Sequence, residues 1–251
     1  MNPSFSRIFA AAACVCGTFH THRGSPCEDA WFMAADDTHR TIVLCDGCST
    51  ASQGAVAARI VSQTAGAILH QNFAAYLYKY PLAIRVEAAR AVEAALTGWA
   101  RQNQIEARQL AATLVAASMD QEGRFVCLHM GDGGILGQSA GSKQILRVSL
   151  PENRLGSHQT YLTMNCSMAR HLRICRQTSS DLESLLLYTD GLEVSPRAPF
   201  APWMEQLLSS GTQDQLEGYL SSRPFVDDAS AALLRVVPKK EFPFSEPPVL
   251  H

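Results

Sequence analysis

The order of helix-like and strand-like segments constrains the fold of this 251-residue chain more than any other feature. Apolar residues recur at helical spacing in two consecutive stretches, one that follows Gly54 and one that begins at Pro81. Short strand-like runs come before and after this pair of helices. Because strands and helices do not alternate strictly, the pattern argues against a doubly wound parallel sheet. It favours mixed or antiparallel sheets with helices packed outside.

The strand-like segments are short apolar runs bounded by turn residues. They predict strands at 8–19, 30–35, 40–45, 111–119, 124–130, 135–137, 144–149, 160–164, 171–176, 184–189 and 229–237. Two further helices are predicted at 201–209 and 213–221, and a polar loop at 20–29. No Pro/Gly/Ser-rich linker divides the middle of the chain, so residues 1–237 are predicted to form one domain. The proline-containing stretch 238–251 is predicted to be an irregular C-terminal tail.

Charge and hydropathy restrict the partners and the compartment. The chain has 21 basic and 23 acidic residues, and this balance argues against nucleic-acid and membrane-surface partners. No apolar run reaches the roughly 18 residues of a membrane span. Arg7 and the apolar run after it mimic a weak signal peptide, but we favour a strand because the segment fits the fold. The eight cysteines show no disulfide framework, which predicts a cytoplasmic protein.

Acidic residues lie beside several of the apolar runs, where a strand should begin or end. They are Glu28, Asp29, Asp46, Asp132, Asp190 and Asp227. Carboxylates brought together would repel one another and resist ionisation, and a divalent cation would relieve that penalty. Oxygen-only ligands select a hard cation such as Mg²⁺ or Mn²⁺. Each Asp-Gly pair alone is a common turn signal, so the prediction depends on the set.

Glycine directly after an aspartate has two uses in such a site. Gly47 allows the chain to turn sharply after Asp46, and its carbonyl oxygen is unshielded by a side chain. Asp46 and the Gly47 carbonyl could therefore offer two oxygens to one cation, with Asp190, Asp227 and water completing the shell.

A series of motifs in fixed order resembles a known family. The motifs are Gly17-Thr-Phe-His20, Gly24-Ser-Pro-Cys-Glu28-Asp29, Val43-Leu-Cys-Asp46-Gly47, Gly54, Ala112-Thr113-Leu114, Gly131-Asp132-Gly133, Tyr188-Thr-Asp190-Gly191 and Asp227-Asp228-Ala-Ser. Together they resemble the metal-dependent protein phosphatases of the 2C type, in particular the compact bacterial branch, over residues 10–237. The resemblance implies an α+β fold, a four-layer αββα sandwich of two antiparallel sheets flanked by helices.

The resemblance also implies roles for individual residues at a centre of two or three Mg²⁺ or Mn²⁺ ions. Asp46 would bridge two ions, of which the Gly47 carbonyl would bind one and Asp190 and Asp227 the other. Glu28 and Asp29 would act through metal-bound waters or contact a metal from the outer coordination shell. Asp132 would help to hold a third ion. The family's phosphate-binding arginine position is Gly24 here, so Arg23 and His20 are the candidate phosphate ligands. The usual Asp-Asn is Asp227-Asp228, which adds negative charge.

The implied reaction is hydrolysis of phosphoserine or phosphothreonine by a hydroxide that bridges the two metals. The implied partner is a phosphorylated protein, and the candidates are targets of a bacterial Ser/Thr kinase. Two alternatives stay open: a non-catalytic module that binds phosphoproteins, and a phosphoesterase for small molecules. The exposed stretch 150–170 is the candidate for a flap beside the site.

Two further features have both a functional and a structural interpretation. Cys45 and Cys48 form a Cys-x-x-Cys pair, but no thioredoxin-like context or second pair supports redox or zinc chemistry. His129 could donate a proton, although a strand histidine that is hydrogen-bonded to the backbone is the simpler interpretation.

Overall fold

The computed structural model describes residues 7–152, 160–179, 181–192 and 202–237. The ten strands are β1 (Arg7–Val15), β2 (Ala30–Ala35), β3 (His39–Cys45), β4 (Leu114–Asp120), β5 (Phe125–Met130), β6 (Gly134–Ser139), β7 (Ile145–Ser149), β8 (Arg173–Gln177), β9 (Leu182–Tyr188) and β10 (Ala229–Val237). The α-helices are α1 (Thr18–Arg23), α2 (Gly54–Tyr76), α3 (Pro81–Gln102), α4 (Met168–His171), α5 (Pro202–Leu208) and α6 (Gln213–Ser221). Short 3-10 helices span Ala107–Gln109 and Asp190–Leu192.

The strands form two antiparallel sheets of five strands each. One sheet has the order β1-β10-β9-β6-β7, and the other has the order β2-β3-β4-β5-β8. The first sheet joins the two ends of the described chain, because Arg7 lies opposite Val237 and Val15 lies opposite Ala229. In the second sheet Ala30 lies opposite Cys45, so β2 begins where β3 ends.

Three apolar clusters separate four layers. The cluster between the sheets contains Ile42, Leu44 and Val115 from one sheet and Leu185, Leu187 and Leu234 from the other. On the outer face of the second sheet, α2 and α3 bury residues such as Val61, Leu69, Ile84 and Val92 against Val43, Ala116 and Leu128. On the outer face of the first sheet, Leu207, Leu216 and Leu220 pack on Ala11, Leu186 and Leu233. The predicted αββα sandwich is therefore confirmed.

The predicted strand at 8–19 is too long, and helix α1 occupies its last two positions and the first four positions of the predicted loop at 20–29. The strand ends at Val15, and the backbone N–H groups of Thr18 and Phe19 donate to the carbonyls of Phe225 (2.9 Å) and Val226 (3.0 Å). The helix ends at Gly24, which has a φ of 66°. Contacts with a segment about 200 residues away therefore help to hold this six-residue helix. A local pattern could not have revealed them.

The predicted strand at 160–164 is wrong. Thr160 forms only a single β-bridge, and the chain then turns, with Met164 at a φ of 63°. The Asn165 side chain accepts a hydrogen bond from the Leu162 N–H (3.0 Å), and Thr163 binds Ala112 through its backbone and its hydroxyl. Of the flap predicted at 150–170, residues 153–159 lie outside the described residues, as does the tail at 238–251. Among the described residues, no helix has the length and apolarity that crossing a bilayer requires.

Candidate metal centre and active site

The acidic residues meet at one end of the two sheets because of strand pairing. Asp29 precedes β2 and Asp46 follows β3, and these antiparallel strands bring their two ends together. Asp190 follows β9, and Asp132 lies in the turn between β5 and β6. Asp46, Asp132 and Asp190 each offer a carboxylate oxygen, and these oxygens lie within 4.8 Å of one another. The second sheet supplies Asp46 and the first supplies Asp190, so the cluster bridges the two sheets.

The electrostatics of this cluster oppose ionisation of its members. Burial raises the pKa of Asp46 well above its usual range, and the charges of Asp29, Asp190, Asp132 and Asp227 raise it further. Loss of hydration and the charges of Asp132 and Asp227 raise the pKa of Asp190 to about 7. Burial also raises the pKa of Asp132. A positive charge placed among these groups would reverse each shift.

Asp29 is held between the two sheets by hydroxyl groups. Its Oδ2 accepts hydrogen bonds from Thr189 Oγ1 (2.9 Å) and Ser230 Oγ (2.6 Å). Burial raises its pKa to about 7, although these two hydrogen bonds favour the charged form. The sequence motifs contained Thr189 and Ser230, but only the structure assigns them this role.

Three buried carboxylate oxygens at this end of the sheets lack a hydrogen-bond partner among the described residues. They are Glu28 Oε2, Asp29 Oδ1 and Asp132 Oδ1. Buried hydrogen-bond acceptors are normally paired. Unpaired oxygens among carboxyl groups whose pKa values are raised therefore indicate a ligand that accepts lone pairs, as a metal cation does. All the donor atoms are oxygens, which is the set that Mg²⁺ and Mn²⁺ prefer. The residues present therefore fit divalent cations.

Gly47 is required by close backbone packing as well as by the turn. A Cβ at this position would lie 2.5 Å from the Gly54 carbonyl carbon and 2.7 Å from the Glu28 carbonyl oxygen. The Gly47 N–H donates to that Glu28 oxygen (3.2 Å), which ties the segment after β3 to the entry of β2. Thr113 fixes the neighbouring aspartate, because its hydroxyl accepts from the Asp46 N–H (2.9 Å) and its own N–H donates to the Asp46 carbonyl (2.9 Å).

Asp227 and Asp228 have different environments. Asp228 is buried, and its two carboxylate oxygens accept from the backbone N–H groups of Gly17 (2.7 Å) and Glu28 (2.6 Å). The Asp227 side chain is 62% exposed. It is not one of the three residues within 4.8 Å, but its charge raises the pKa of Asp46 and Asp190. The extra charge expected from Asp228 therefore serves to position two backbone segments.

Comparison with known families identifies the chain. The model of the family described as "Protein phosphatase 2C" matches residues 16–223. The chain belongs to this family. It is therefore a metal-dependent protein phosphatase, and its substrates are phosphoproteins. None of the curated proteins compared with the chain matches it.

Solved structures, two of them described as phosphatases, share the fold at low identity. A bacterial serine phosphatase is 18% identical, with a TM-score of 0.63 over 92% of this chain and 98% of that chain. The serine/threonine phosphatase Stp1 from Staphylococcus aureus is 19% identical, with a TM-score of 0.61 over 91% and 95%. RsbX in complex with magnesium is 15% identical, with a TM-score of 0.56 over 91% and 95%. At these identities the likeness establishes the fold of the phosphatase.

The two candidate phosphate ligands lie on α1 in different settings. His20 is buried, and its Nε2 lies 3.7 Å from Asp227 Oδ1 and 3.9 Å from Asp228 Oδ2. Its Nδ1 is 3.2 Å from Ser25 Oγ. Arg23 is exposed and stacks its guanidinium 3.8 Å above the Phe19 ring. The structure therefore places His20 beside the acidic centre and Arg23 on the solvent side of the same helix.

The environments of Cys45 and His129 argue against reactive roles for these two candidates. Cys45 is buried beneath α2, and burial raises the pKa of its thiol well above the usual range. Two other thiols, those of Cys14 and Cys27, lie close together, with sulfurs 3.0 Å apart. No sequence motif indicated this pair. Burial and the charge of Arg173 lower the pKa of His129 to about 3, which favours the neutral imidazole and argues against a role as a cationic proton donor.

Proposed function

We propose that the acidic cluster at the end of the two sheets is the catalytic metal centre of this phosphatase. The single observation that carries the proposal is the convergence of Asp46, Asp132 and Asp190 within 4.8 Å, at raised pKa. The proposed ligands and positioning residues are Asp46, the Gly47 carbonyl, Asp132, Asp190, Asp227, Glu28 and Asp29.

We propose two or three Mg²⁺ or Mn²⁺ ions at this centre. The all-oxygen donor set supports the choice of a hard cation. The unpaired oxygens of Glu28, Asp29 and Asp132 support more than one cation, because they extend the donor set beyond a single trio of carboxylates. When bound, such ions supply Lewis acidity, which activates a water molecule and neutralises phosphoryl charge.

The chain's own residues contribute positioning and proton transfer. Thr113 holds the backbone of Asp46 on both sides, and the hydroxyls of Thr189 and Ser230 hold Asp29. The reaction breaks the bond between phosphorus and the serine or threonine oxygen, and that oxygen must gain a proton. We assign this transfer to His20, whose Nε2 faces the Asp227 carboxylate.

Arg23 is proposed to bind the phosphoryl group from the solvent side. Its guanidinium is exposed, and stacking on Phe19 restricts its orientation. A guanidinium can donate two parallel hydrogen bonds to phosphoryl oxygens. This assignment replaces the arginine that the family carries at the position of Gly24.

Three wider assignments belong to the same proposal. We propose that residues 1–237 act as one catalytic domain, supported by the pairing of β1 with β10. We propose a reducing, cytoplasmic environment, supported by eight cysteines that are all free. We propose that the phosphoprotein substrates include targets of a bacterial Ser/Thr kinase.

The test is turnover of a phosphothreonine peptide and of a nucleotide, each with Mn²⁺ and with a chelator. We expect the peptide to be hydrolysed only with Mn²⁺, and Asp46→Asn to lower kcat/KM at least about 100-fold, or about 2.7 kcal/mol of transition-state stabilisation. Asp214→Asn, at an exposed position of α6, is the matched control and should retain activity. Unchanged turnover in Asp46→Asn would refute the assigned centre, and preference for the nucleotide would favour a small-molecule phosphoesterase.

A further inference from the structure

A second cluster of metal-binding side chains lies at the opposite end of the β2–β3 hairpin. It consists of Asp36 in the hairpin turn, His39 at the start of β3 and His70 on α2. One ligand atom from each residue lies within 4.8 Å of the other two. Asp36 lies seven positions after Asp29 along nearly extended chain, so the cluster is roughly 20 Å from the catalytic centre.

The spacing of the three ligand atoms suits a small tetrahedral cation. Asp36 Oδ2 lies 3.2 Å from His39 Nδ1 and 3.6 Å from His70 Nε2. Zinc binds imidazole nitrogen and carboxylate oxygen at about 2.0–2.2 Å, and tetrahedral angles then separate the ligand atoms by about 3.4 Å. The two separations from Asp36 are therefore close to those that one tetrahedral cation requires, and the third lies within the 4.8 Å limit of the cluster.

The hydrogen bonds around the histidines direct one lone pair of each ring toward the aspartate. His39 Nε2 lies 3.0 Å from the backbone carbonyl of His70, so this nitrogen carries the hydrogen and Nδ1 is left with a lone pair. Thr38 Oγ1 also lies 2.9 Å from this Nδ1, but its hydrogen is directed to Asp36 Oδ1. His70 Nδ1 lies 3.0 Å from Thr41 Oγ1, and that hydroxyl is also hydrogen-bonded to Ser118 Oγ. When Thr41 donates to Ser118, it accepts from His70 Nδ1 and leaves Nε2 free. Metal-binding histidines in proteins are usually oriented in this way.

Local hydrogen bonds also prepare the carboxylate. Asp36 Oδ1 accepts from the Thr38 N–H (2.7 Å), the Thr38 hydroxyl (2.7 Å) and the His39 N–H (2.9 Å), which leaves Oδ2 facing the histidines. Burial opposes the charge, but these bonds lower the pKa of Asp36 to about 2. Arg40 donates to the Asp36 backbone carbonyl rather than to the carboxylate. The Phe73 ring stacks on His39 at 4.7 Å and restricts its rotation.

We propose that Asp36, His39 and His70 form a zinc site that is independent of the catalytic centre. Two imidazoles and one carboxylate favour Zn²⁺ or a similar borderline cation over Mg²⁺ or Mn²⁺. Asp36 is exposed, so water can occupy the fourth position from the solvent side. Bound zinc links the β2–β3 turn to α2, and the link holds whether or not the catalytic centre is loaded.

The test is a titration of the full-length protein with Co²⁺, and then with Zn²⁺, in excess Mg²⁺. We expect one equivalent of Co²⁺ with the intense visible absorption of a tetrahedral nitrogen-containing site, displaced by one equivalent of Zn²⁺. His70→Ala and Asp36→Asn should each weaken this binding at least tenfold, whereas His171→Ala, which removes an imidazole from α4, should not. The signal should persist in Asp46→Asn, because the catalytic centre does not supply it.

Two controls keep the outcome decisive. Thermal unfolding without added metal should show that His70→Ala is folded, and Zn²⁺ should raise the Tm of the wild type but not of this variant. Zinc held by the cysteines would give sulfur-to-cobalt charge-transfer absorption that survives in His70→Ala. The proposal would be overturned if the wild type bound neither Co²⁺ nor Zn²⁺ in excess Mg²⁺. It would also be overturned if the metal stoichiometry were unchanged in both His70→Ala and Asp36→Asn.

Discussion

Asp29 should make the stability of the metal-free phosphatase depend on pH, and Asp29→Asn should remove the part of that dependence that Asp29 contributes. Burial raises the pKa of Asp29 from its ordinary 3.8 to about 7. Between these values the folded protein keeps the proton and the unfolded chain releases it. The free energy of unfolding contributed by this group is therefore largest at low pH, and it is lost as the pH rises from about 4 through 7.

The size of the effect follows from the width of this window. Each pH unit between the two pKa values changes the free energy of unfolding by 1.36 kcal/mol, so the two units from pH 5 to pH 7 give about 2.7 kcal/mol. Rearrangement and water entry in the folded state reduce this value. We therefore expect the wild type to lose about 1–3 kcal/mol relative to Asp29→Asn over this range.

Urea unfolding of both proteins in a chelating buffer, at pH 5 and pH 7, measures the difference. His129 has a pKa of about 3 and contributes in the opposite direction, whereas Asp46, Asp132 and Asp190 have raised pKa values and contribute in the same direction as Asp29. All four groups are present in both proteins, so the difference between the proteins reports Asp29 and its charge coupling to these neighbours. Excess Mn²⁺ should shrink the difference at pH 7, because the cation compensates the carboxylate. An exposed-site control, Asp214→Asn, should show no such trend. The free energy of unfolding of the wild type should fall relative to that of Asp29→Asn as the pH rises from 5 to 7. A wild type that keeps the same relative stability, or gains stability, over this range would refute the assigned environment of Asp29.

The remaining predictions concern backbone positioning near the centre. Asp228→Asn should lower the free energy of unfolding by about 1–3 kcal/mol, because an amide oxygen can satisfy only one of the two backbone N–H groups that this carboxylate binds. Asp227→Asn, at an exposed position, should change the free energy of unfolding by less than about 0.5 kcal/mol. If urea unfolding shows that Asp227→Asn is more destabilising than Asp228→Asn, the environments assigned to these two residues are wrong. Gly47→Ala should destabilise by about 1–3 kcal/mol because its Cβ would meet backbone atoms, whereas Gly98→Ala should stabilise α3 by about 0.5–1 kcal/mol because the space there is open. Equal shifts in Tm for the two alanine variants would argue against this packing.

Local sequence patterns predicted the elements whose stability is local. Helices α2 and α3 follow from apolar spacing, and the β2–β3 hairpin follows from two apolar runs around a short turn. The same reasoning failed for α1 and for 160–164. In both segments, hydrogen bonds to distant parts of the chain help to set the backbone conformation, and no local periodicity encodes those bonds.

By itself, the sequence determined the class of fold, the family and the set of acidic residues, because apolar periodicity and ordered Asp-Gly motifs can be read along the chain. Only the tertiary structure decided which carboxylates converge: it groups Asp132 with Asp46 and Asp190, leaves Asp227 exposed and buries Asp228 against backbone N–H groups. It also brought His70 to Asp36, a proximity that no motif indicated. The physical reason is that these distances depend on strand register and helix packing between residues far apart in the chain.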